Sequence, residues 1–264
     1  MAKTKAFCCW SGGKDSLLAC VRASKEVEVT YLLNMVDENG ISSRSHGLGS
    51  NVLKLQAEII GIPLVQKKTS RQTYEQRFKE AIAEIKDLGV SPENRDSGLG
   101  VRDSGRLVAA GFSLISPEPS NHQTHFHLPL CPLPVGMSVS QGVFGDIDVV
   151  EHRDWIERVC REMEITPIFP LWEADREEML AEFMQAGFRA VVVSSKIGQE
   201  WLGREIDEQF VNELRALGNI DLCGENGEYH SFVYDGPIFK KPVLFTPGKT
   251  TFKDNRWFLE IIPK

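Results

Sequence analysis

Residues 7–20 read FCCWSGGKDSLLAC, an apolar run interrupted by two glycines, a lysine and an acid before a second apolar run begins. The pattern on either side of the interruption predicts a short buried strand over residues 5–10 and a helix over residues 14–24. The interruption therefore lies where a strand ends and a helix starts, which is the position at which open α/β sheets bind their ligands.

The same alternation of strand and helix continues outward from this stretch. Further strands are predicted at 27–36 and 62–67, and further helices at 50–60 and 71–88. Ser50 is expected to cap the first of these helices, and Gly61 is expected to end it. Near-continuous apolar strands separated by helices are typical of a doubly wound parallel sheet that is covered on both faces.

The second half of the chain returns to this pattern and then changes. Strands are predicted at 141–148, 166–172 and 188–195, and helices at 151–164, 175–187 and 205–217. The tail predicts antiparallel strands joined by turns at Asp235-Gly236 and Pro247-Gly248. The expected fold class is therefore α/β, with a doubly wound parallel sheet in a domain over residues 1–172 and a smaller α+β domain over residues 173–264.

Residues 91–140 lose apolar periodicity and are rich in Pro, Gly, Ser and His. Such a long stretch without regular structure is unusual inside a compact domain, so it predicts an insertion or a disordered loop. Its HQTHFH segment, followed by Cys131, could be interpreted as a metal site. Because metal ligands need rigid support, a flexible polar loop is the favoured interpretation, and no metal site is predicted among protein side chains alone.

The composition restricts the classes of function. The net charge of −7 argues against a broad surface for nucleic acid, and no window is long and apolar enough to span a bilayer. The six cysteines show no CxxC spacing, so a reduced, cytoplasmic setting is expected. Cys8 and Cys9, in a buried strand, and Cys223 are expected to serve packing rather than sulfur transfer.

Residues 11–16 have the chemistry of a phosphate cradle. The glycines let the backbone approach an anion, the serines add hydroxyl donors, and Lys14 adds a mobile positive charge from an exposed position in the loop. The later PGKT (247–250) is not a P-loop, because Val243 occupies the place of its first glycine. The residues of the cradle are Ser11, Gly12, Gly13, Lys14, Asp15 and Ser16.

SGGKDS resembles the pyrophosphate loop of ATP pyrophosphatases, PP-loop enzymes of the adenine nucleotide alpha hydrolase-like group with a HUP-like fold. Three later segments resemble the diphthine–ammonia ligase family and occur in the family's order: PLWEADREEML (170–180), EWLGREID (200–207) and CGENGEYHSFVYDGPIF (223–239). Asn226 and His230 in the last segment favour the bacterial branch of that family. The resemblance covers nearly the whole chain outside residues 91–140.

The resemblance implies an AMP-forming amidation. ATP would adenylate a carboxylate acceptor, which is protein-bound or a small molecule, and ammonia or an amine would then displace AMP. ATP and Mg²⁺ are the implied cofactors, and neither a membrane nor a nucleic acid is expected as a partner. The loop of residues 11–16 would bind the nucleotide, and Lys14 and Asp15 are expected to act in catalysis as well.

Other site residues are expected on both sides of this loop. Met35 would meet adenine, and His46 would line the site. Gly145 would permit close approach of ATP or substrate, and Asp146 would help to place Mg²⁺. A group in the C-terminal motif is expected to bind ammonium, orient a cationic substrate or transfer protons: Glu225, Glu228 and His230.

Several of these assignments have structural alternatives. Asp146 could cap a helix or be the acid of a turn. The C-terminal acids could form a salt-bridged turn, and Trp172 and Trp201 could stack on a ligand ring or pack in the core. Two other functions also stay open, a tRNA- or sulfur-directed ATP pyrophosphatase and a sensor that binds an adenine nucleotide without chemistry. The intact loop with Lys14 favours cleavage over sensing.

Overall fold

A computed structural model describes residues 2–44, 46–88 and 138–264. The predicted insertion at 91–140, with its HQTHFH segment and Cys131, lies outside the described residues except for its last three positions. The strands and helices are, in chain order, β1 (Lys5–Cys9), α1 (Lys14–Ala23), β2 (Glu28–Val36), α2 (Ser50–Ile60), β3 (Leu64–Lys68), α3 (Tyr74–Leu88), β4 (Gln141–Val143), α4 (Val150–Glu162), β5 (Thr166–Ile168), α5 (Arg176–Gln185), β6 (Arg189–Ser195), a 3₁₀ helix (Gln199–Trp201), α6 (Glu208–Leu217), β7 (Tyr229–Asp235), β8 (Phe245–Lys253) and β9 (Arg256–Pro263).

The first five strands form a parallel sheet in the order β3-β2-β1-β4-β5. The chain builds outward from β1 in one direction and then, with β4, in the other. The carboxyl ends of β1 and β4 therefore flank the point at which the strand order reverses. The predicted α/β class with a doubly wound parallel sheet is confirmed.

Helices cover both faces of this sheet because its side chains alternate between two cores. Ala6 and Cys8 of β1 belong to the core that also contains the buried faces of α1 and α2. Phe7, between them, belongs to a second core with the buried faces of α3 and α4. Burial on both faces explains why the opening strand is apolar at nearly every position.

The C-terminal part forms an antiparallel sheet in the order β7-β6-β9-β8, as the α+β prediction requires. The turns predicted between its strands are wrong. Asp235-Gly236 ends β7 without forming a hairpin, because β7 pairs with β6. Pro247-Gly248 lies inside β8, where the register shifts. The hairpin of β8 and β9 turns at Asp254 and Asn255, whose φ angles of 53° and 57° suit a tight I′-type turn.

The predicted ends of α2 are confirmed at one terminus only. Gly61 ends the helix in the left-handed conformation, with a φ of 91°. Ser50 is the first helical residue, and Gly49 takes the N-cap position. The Ser50 hydroxyl donates instead to the carbonyl oxygen of Gly40, at 2.8 Å.

Among the described residues, no helix combines the length and the apolar character needed to cross a bilayer.

One fully buried side chain, Gln56 of α2, connects the two sheets. Its amide nitrogen donates to the carbonyl oxygens of Gly12, at 3.2 Å, and of Val233 in β7, at 2.7 Å. Its amide oxygen accepts from the Trp10 indole nitrogen at 2.7 Å. The backbone N–H of Val233 also donates to the Gly12 carbonyl oxygen, at 3.0 Å. These contacts hold the C-terminal sheet against the loop of residues 11–16.

Candidate functional site

The segments that follow β1 and β4 line a cavity of about 600 Å³ at the point where the strand order reverses. Ser11, Asp15 and Ser16 line it from the loop after β1, and Gly145 and Asp146 line it from the segment after β4. Open parallel sheets bind ligands at this place, and the volume lies in the range of small-molecule sites. We name it the large cavity.

The loop of residues 11–16 folds around its own hydroxyl groups. Ser11 Oγ donates to Ser16 Oγ at 3.0 Å, and Ser16 Oγ donates to the Gly13 carbonyl oxygen at 3.1 Å. Gly12 has a φ of 80°, which favours glycine, and a Cβ there would overlap the Leu53 side chain. The loop thus brings the N-terminus of α1 to the cavity wall, where the helix dipole favours an anion.

Lys14 is buried, so the prediction of an exposed lysine is wrong. Only 5% of the residue is exposed, and its Nζ lies 2.6 Å from Asp15 Oδ1 and 3.4 Å from Glu225 Oε1. The same Nζ lies 5.9 Å from the centroid of the Tyr229 ring. Burial opposes the charge, but Asp15, Tyr229 and Glu225 outweigh it and raise the pKa of Lys14. Lys14 is therefore a stable cation between the loop and the C-terminal motif.

Gly145 brings the end of β4 against the start of α1. A Cβ at this position would lie 3.2 Å from the Asp15 carbonyl carbon and 3.2 Å from the Ser16 nitrogen. Asp146 does not cap α4, whose N-cap is Val149. Its carboxylate lies 3.3 Å from the His152 ring, and burial raises the pKa of Asp146.

If the cavity binds ATP, as the resemblance implies, replacing Gly145 with alanine should raise the KM for ATP about tenfold, because the added methyl group displaces the end of β4 from the loop. The KM is measured from AMP formation, and circular dichroism checks the fold. Gly49→Ala is the matched control, since the one close contact of a Cβ there would be with the movable end of the Asn51 side chain, while the Val52 side chain lies at ordinary contact distance. An unchanged KM in the Gly145 variant would contradict the need for this close approach.

Another part of the large cavity is aromatic, which the sequence reasoning missed. Met35 lines the cavity, together with Tyr74 and Phe78 of α3, Phe144 after β4 and Trp155 of α4. Phe78 lies between Phe144 and Trp155, with ring centroids 6.5 Å and 5.4 Å away. Tyr74 and Phe78 are four residues apart on one helix, and this spacing was a signal that they share a face.

A second cavity, of about 120 Å³, lies where the loop meets the C-terminal motif, and we name it the small cavity. Of the predicted C-terminal group, Glu225 and His230 line it, whereas Glu228 lines neither cavity. Glu228 Oε1 instead accepts from the backbone N–H of Asp221 at 3.1 Å. The small cavity is lined by Lys14, Asp15, His46, Cys223, Gly224, Glu225, Tyr229, His230 and Ser231.

An acid that the sequence reasoning missed, Asp221, holds Glu225 in place. Its Oδ2 accepts from the Glu225 backbone N–H at 2.9 Å and from Arg176 Nη1 at 2.6 Å. Its Oδ1 accepts from the Cys223 N–H at 3.0 Å. Burial, followed by the negative charge of Asp15, raises the pKa of Glu225 to about 7. Glu225 can therefore exchange a proton near neutral pH.

His46 and His230 stack with ring centroids 4.6 Å apart. His46 lines both cavities, and its Nδ1 lies 3.3 Å from the Ser231 carbonyl oxygen. Burial lowers the pKa of His46 to about 4, with a further contribution from Lys14. Burial and the neighbouring His46 also lower the pKa of His230. Both rings are consequently neutral at pH 7.

This histidine pair is expected to make the fold sensitive to acid. The folded state lowers both pKa values from an ordinary 6.5, so the unfolded chain binds protons that the folded chain excludes. The free energy of unfolding should therefore fall as the pH drops from about 6.5 to about 4. His230→Asn should reduce this fall when the free energy of unfolding is measured by urea titration across that pH range. Equal acid sensitivity of wild type and His230→Asn would contradict the assignment.

Cys8 packs in the core, whereas Cys9 lines the large cavity and Cys223 lines the small cavity. Burial raises the pKa of Cys8 and Cys9, and it raises that of Cys223 to about 12, so all three remain thiols and poor nucleophiles. Trp172 and Trp201 line neither cavity. Trp201 is buried and meets the edge of the Phe210 ring, so the core interpretation fits it. Trp172 is half-buried and packs under the Arg153 guanidinium.

Comparison with known proteins agrees with this arrangement. The family described as "Diphthamide synthase N-terminal domain" matches residues 4–93, and the "Diphthamide synthase C-terminal domain" matches residues 175–262. The diphthine–ammonia ligase of Danio rerio is 25% identical over an alignment 264 residues long, which includes 95% of this chain and 90% of that protein. Those of Bos taurus and Homo sapiens are each 30% identical, over 249 and 251 residues, covering 89% of this chain and 80% of each relative. The chain belongs to the diphthine–ammonia ligase family.

Proposed function

We propose that this chain is an ATP-dependent, AMP-forming ligase that adenylates a carboxylate and joins it to ammonia. Membership of the family supports the use of ATP and the formation of an amide. Within the structure, the observation that carries the proposal is the contact of Lys14 with Glu225, at 3.4 Å. This contact unites the anion-binding loop and the acidic C-terminal turn in one site.

The loop would hold the β- and γ-phosphates of ATP. The N-terminus of α1 would provide donors, and Lys14 would neutralise phosphate charge. The Ser11 and Ser16 hydroxyls would donate to phosphate on turning away from their partners within the loop. Gly12 and Gly13 keep the backbone close to the phosphates. Met35 and the aromatic part of the large cavity offer an apolar surface for adenine.

The carboxylates of the large cavity fit Mg²⁺ together with phosphates. Among residues 2–44, 46–88 and 138–264, no group of three or more His, Cys, Asp or Glu side chains could hold a metal ion alone. Mg²⁺ in nucleotide sites is usually held by one or two carboxylates plus phosphate oxygens. Asp146 lines the cavity, and its raised pKa indicates a carboxylate that a cation would stabilise. When bound, Mg²⁺ would neutralise charge on the phosphates.

The chemistry consists of two displacements. A carboxylate oxygen forms a bond to the α-phosphorus of ATP, the bond from that phosphorus to its bridging oxygen breaks, and pyrophosphate leaves with the electron pair. Ammonia then forms a bond to the activated carbonyl carbon, and AMP leaves. Lys14 and the loop would hold pyrophosphate both when the adenylate forms and when this step reverses. Holding it lowers the barrier by positioning the reactants and by neutralising charge.

We assign ATP binding to residues 1–172 and the substrate side to residues 173–264. The matched relatives are named for diphthine and ammonia, and the proposed acceptor here is a carboxylate of the same kind. Glu225 and His230 supply the C-terminal contribution, while the predicted role of Glu228 has no contact with either cavity to support it.

Product analysis tests the proposed reaction. The purified protein is incubated with ATP, Mg²⁺ and ammonium, with and without a cell extract that supplies acceptors. AMP and pyrophosphate that increase with extract are the expected products. ADP and phosphate would exclude adenylation, and ATP binding without turnover would favour a sensor. A gel shift with tRNA, expected to be absent, tests the tRNA-directed alternative.

A further inference from the structure

The large and small cavities share three wall residues, Asp15, His46 and Glu225. The two spaces therefore adjoin at this point. Lys14 Nζ lies on the small-cavity side, bonded to Asp15 and Glu225. If the loop binds phosphates, as the proposed function requires, Lys14 has a second and more strongly charged partner in the adjoining space.

Movement of Lys14 to the phosphates would leave two carboxylates without their cation. Asp15 and Glu225 both contact Lys14 Nζ, at 2.6 Å and 3.4 Å, and both side chains are half-buried. The charge of Asp15 already contributes to the raised pKa of Glu225. Partly buried carboxylates that lose their partner are unfavourable, so another cation is favoured in the position that Lys14 vacates. The other charged acid nearby, Asp221, is neutralised by Arg176.

The vacated position matches an ammonium ion. The head of a lysine is an ammonium group with one hydrogen replaced by carbon, so NH₄⁺ can donate to the same two carboxylates. The Tyr229 ring, 5.9 Å from Lys14 Nζ, offers the same cation–π contact. Three other titratable side chains that line the small cavity, His46, His230 and the Cys223 thiol, are uncharged at pH 7 and do not repel a cation. The cations Arg256 and Lys196 act on the histidines but do not line the cavity.

We propose that NH₄⁺ enters the small cavity between Asp15 and Glu225 after ATP has drawn Lys14 away, and that Glu225 takes its proton before ammonia attacks the adenylate. This inference rests on the proposed function. The proton passes from nitrogen to the Glu225 carboxylate, which gives neutral ammonia and a carboxylic acid. Ammonia then forms the C–N bond as the C–O bond to AMP breaks, and the nitrogen releases one more proton to water.

Binding of ¹⁵N-labelled ammonium, observed by NMR, tests the loading step. Wild type should show bound ammonium only with α,β-methylene-ATP, which cannot be cleaved between its α and β phosphates. Lys14→Ala should bind ammonium without nucleotide, because the position is empty and both carboxylates remain. Lys14→Met is the matched control. Its uncharged side chain fills the position, so this variant should not bind ammonium without nucleotide. Glu225→Gln should weaken ammonium binding about tenfold.

Ammonium binding by wild type that is independent of nucleotide, or absent with it, would overturn the loading step. If Lys14→Ala does not fold, two other results test the loading step: the nucleotide dependence of ammonium binding by wild type, and the weaker ammonium binding of Glu225→Gln. If the proposed function is wrong, wild type forms ADP instead of AMP. Ammonium binding by Lys14→Ala still tests the ammonium position in that case.

Hydroxylamine tests the proton transfer, because it is already neutral near pH 7 and needs no base. In the assay with extract, Glu225→Gln should lose AMP release that depends on ammonium and keep most of the release that depends on hydroxylamine. Equal loss with both nucleophiles would show that Glu225 does not act by removing a proton from ammonium.

Discussion

Replacement of Lys14 with methionine is expected to lower the rate of AMP formation by about 10²–10³-fold, because the phosphates lose a preorganised cation. Methionine keeps much of the buried volume that lysine occupies, so the loss reports on charge rather than packing. The measurement is initial AMP release at saturating ATP and acceptor. Unfolding in urea checks that the protein remains folded.

The chain supplies a matched control for this variant. Lys249 follows a Pro-Gly pair in β8, where PGKT resembles the end of a P-loop, but it is exposed and lies on a strand. Lys249→Met should retain wild-type activity. Full activity in Lys14→Met, or an equal loss in both variants, would contradict the role of residues 11–16 as the phosphate-binding loop.

Replacement of Gln56 with leucine is expected to lower the free energy of unfolding by about 3 kcal/mol. The change removes the acceptor of the Trp10 indole and a donor to the Val233 carbonyl oxygen, at a side chain with no exposed surface. It also removes one of two donors to the Gly12 carbonyl oxygen. Urea unfolding at equilibrium measures the change.

Gln76→Leu is the control for this loss of stability. Gln76 is exposed on α3 and bonds only to the neighbouring Glu80 side chain in the described contacts, so its replacement should change the free energy of unfolding by less than about 0.5 kcal/mol. A Gln56 variant as stable as this control would show that the link between the sheets does not depend on the amide.

The first sheet could be predicted from sequence because each of its elements has a local cause. The apolar run at residues 5–10 is buried on both faces, and Gly61 ends α2 by its left-handed conformation. The tail was predicted less well, because the pairing of β6 with β7 and with β9 depends on contacts distant in sequence. Pro247-Gly248 has the composition of a turn but forms an irregularity within a strand.

The loop of the candidate site was predictable, whereas its environment was not. SGGKDS is a local motif, but the burial of Lys14 depends on Glu225 and Tyr229, more than two hundred residues away in the sequence. Gln56 left a signal that could have been used, since it is a polar residue on the apolar face of α2. Asp221 left none, because a single acid in a loop is common.

Exchange of labelled pyrophosphate into ATP tests the central claim most directly. The proposed reaction forms an adenylate and pyrophosphate reversibly before ammonia takes part, so label from pyrophosphate should enter ATP when acceptor is present and ammonium is omitted. Lys14→Met should abolish this exchange. Absence of exchange in wild type, with ATP converted to ADP and phosphate on addition of acceptor, would contradict cleavage between the α and β phosphates.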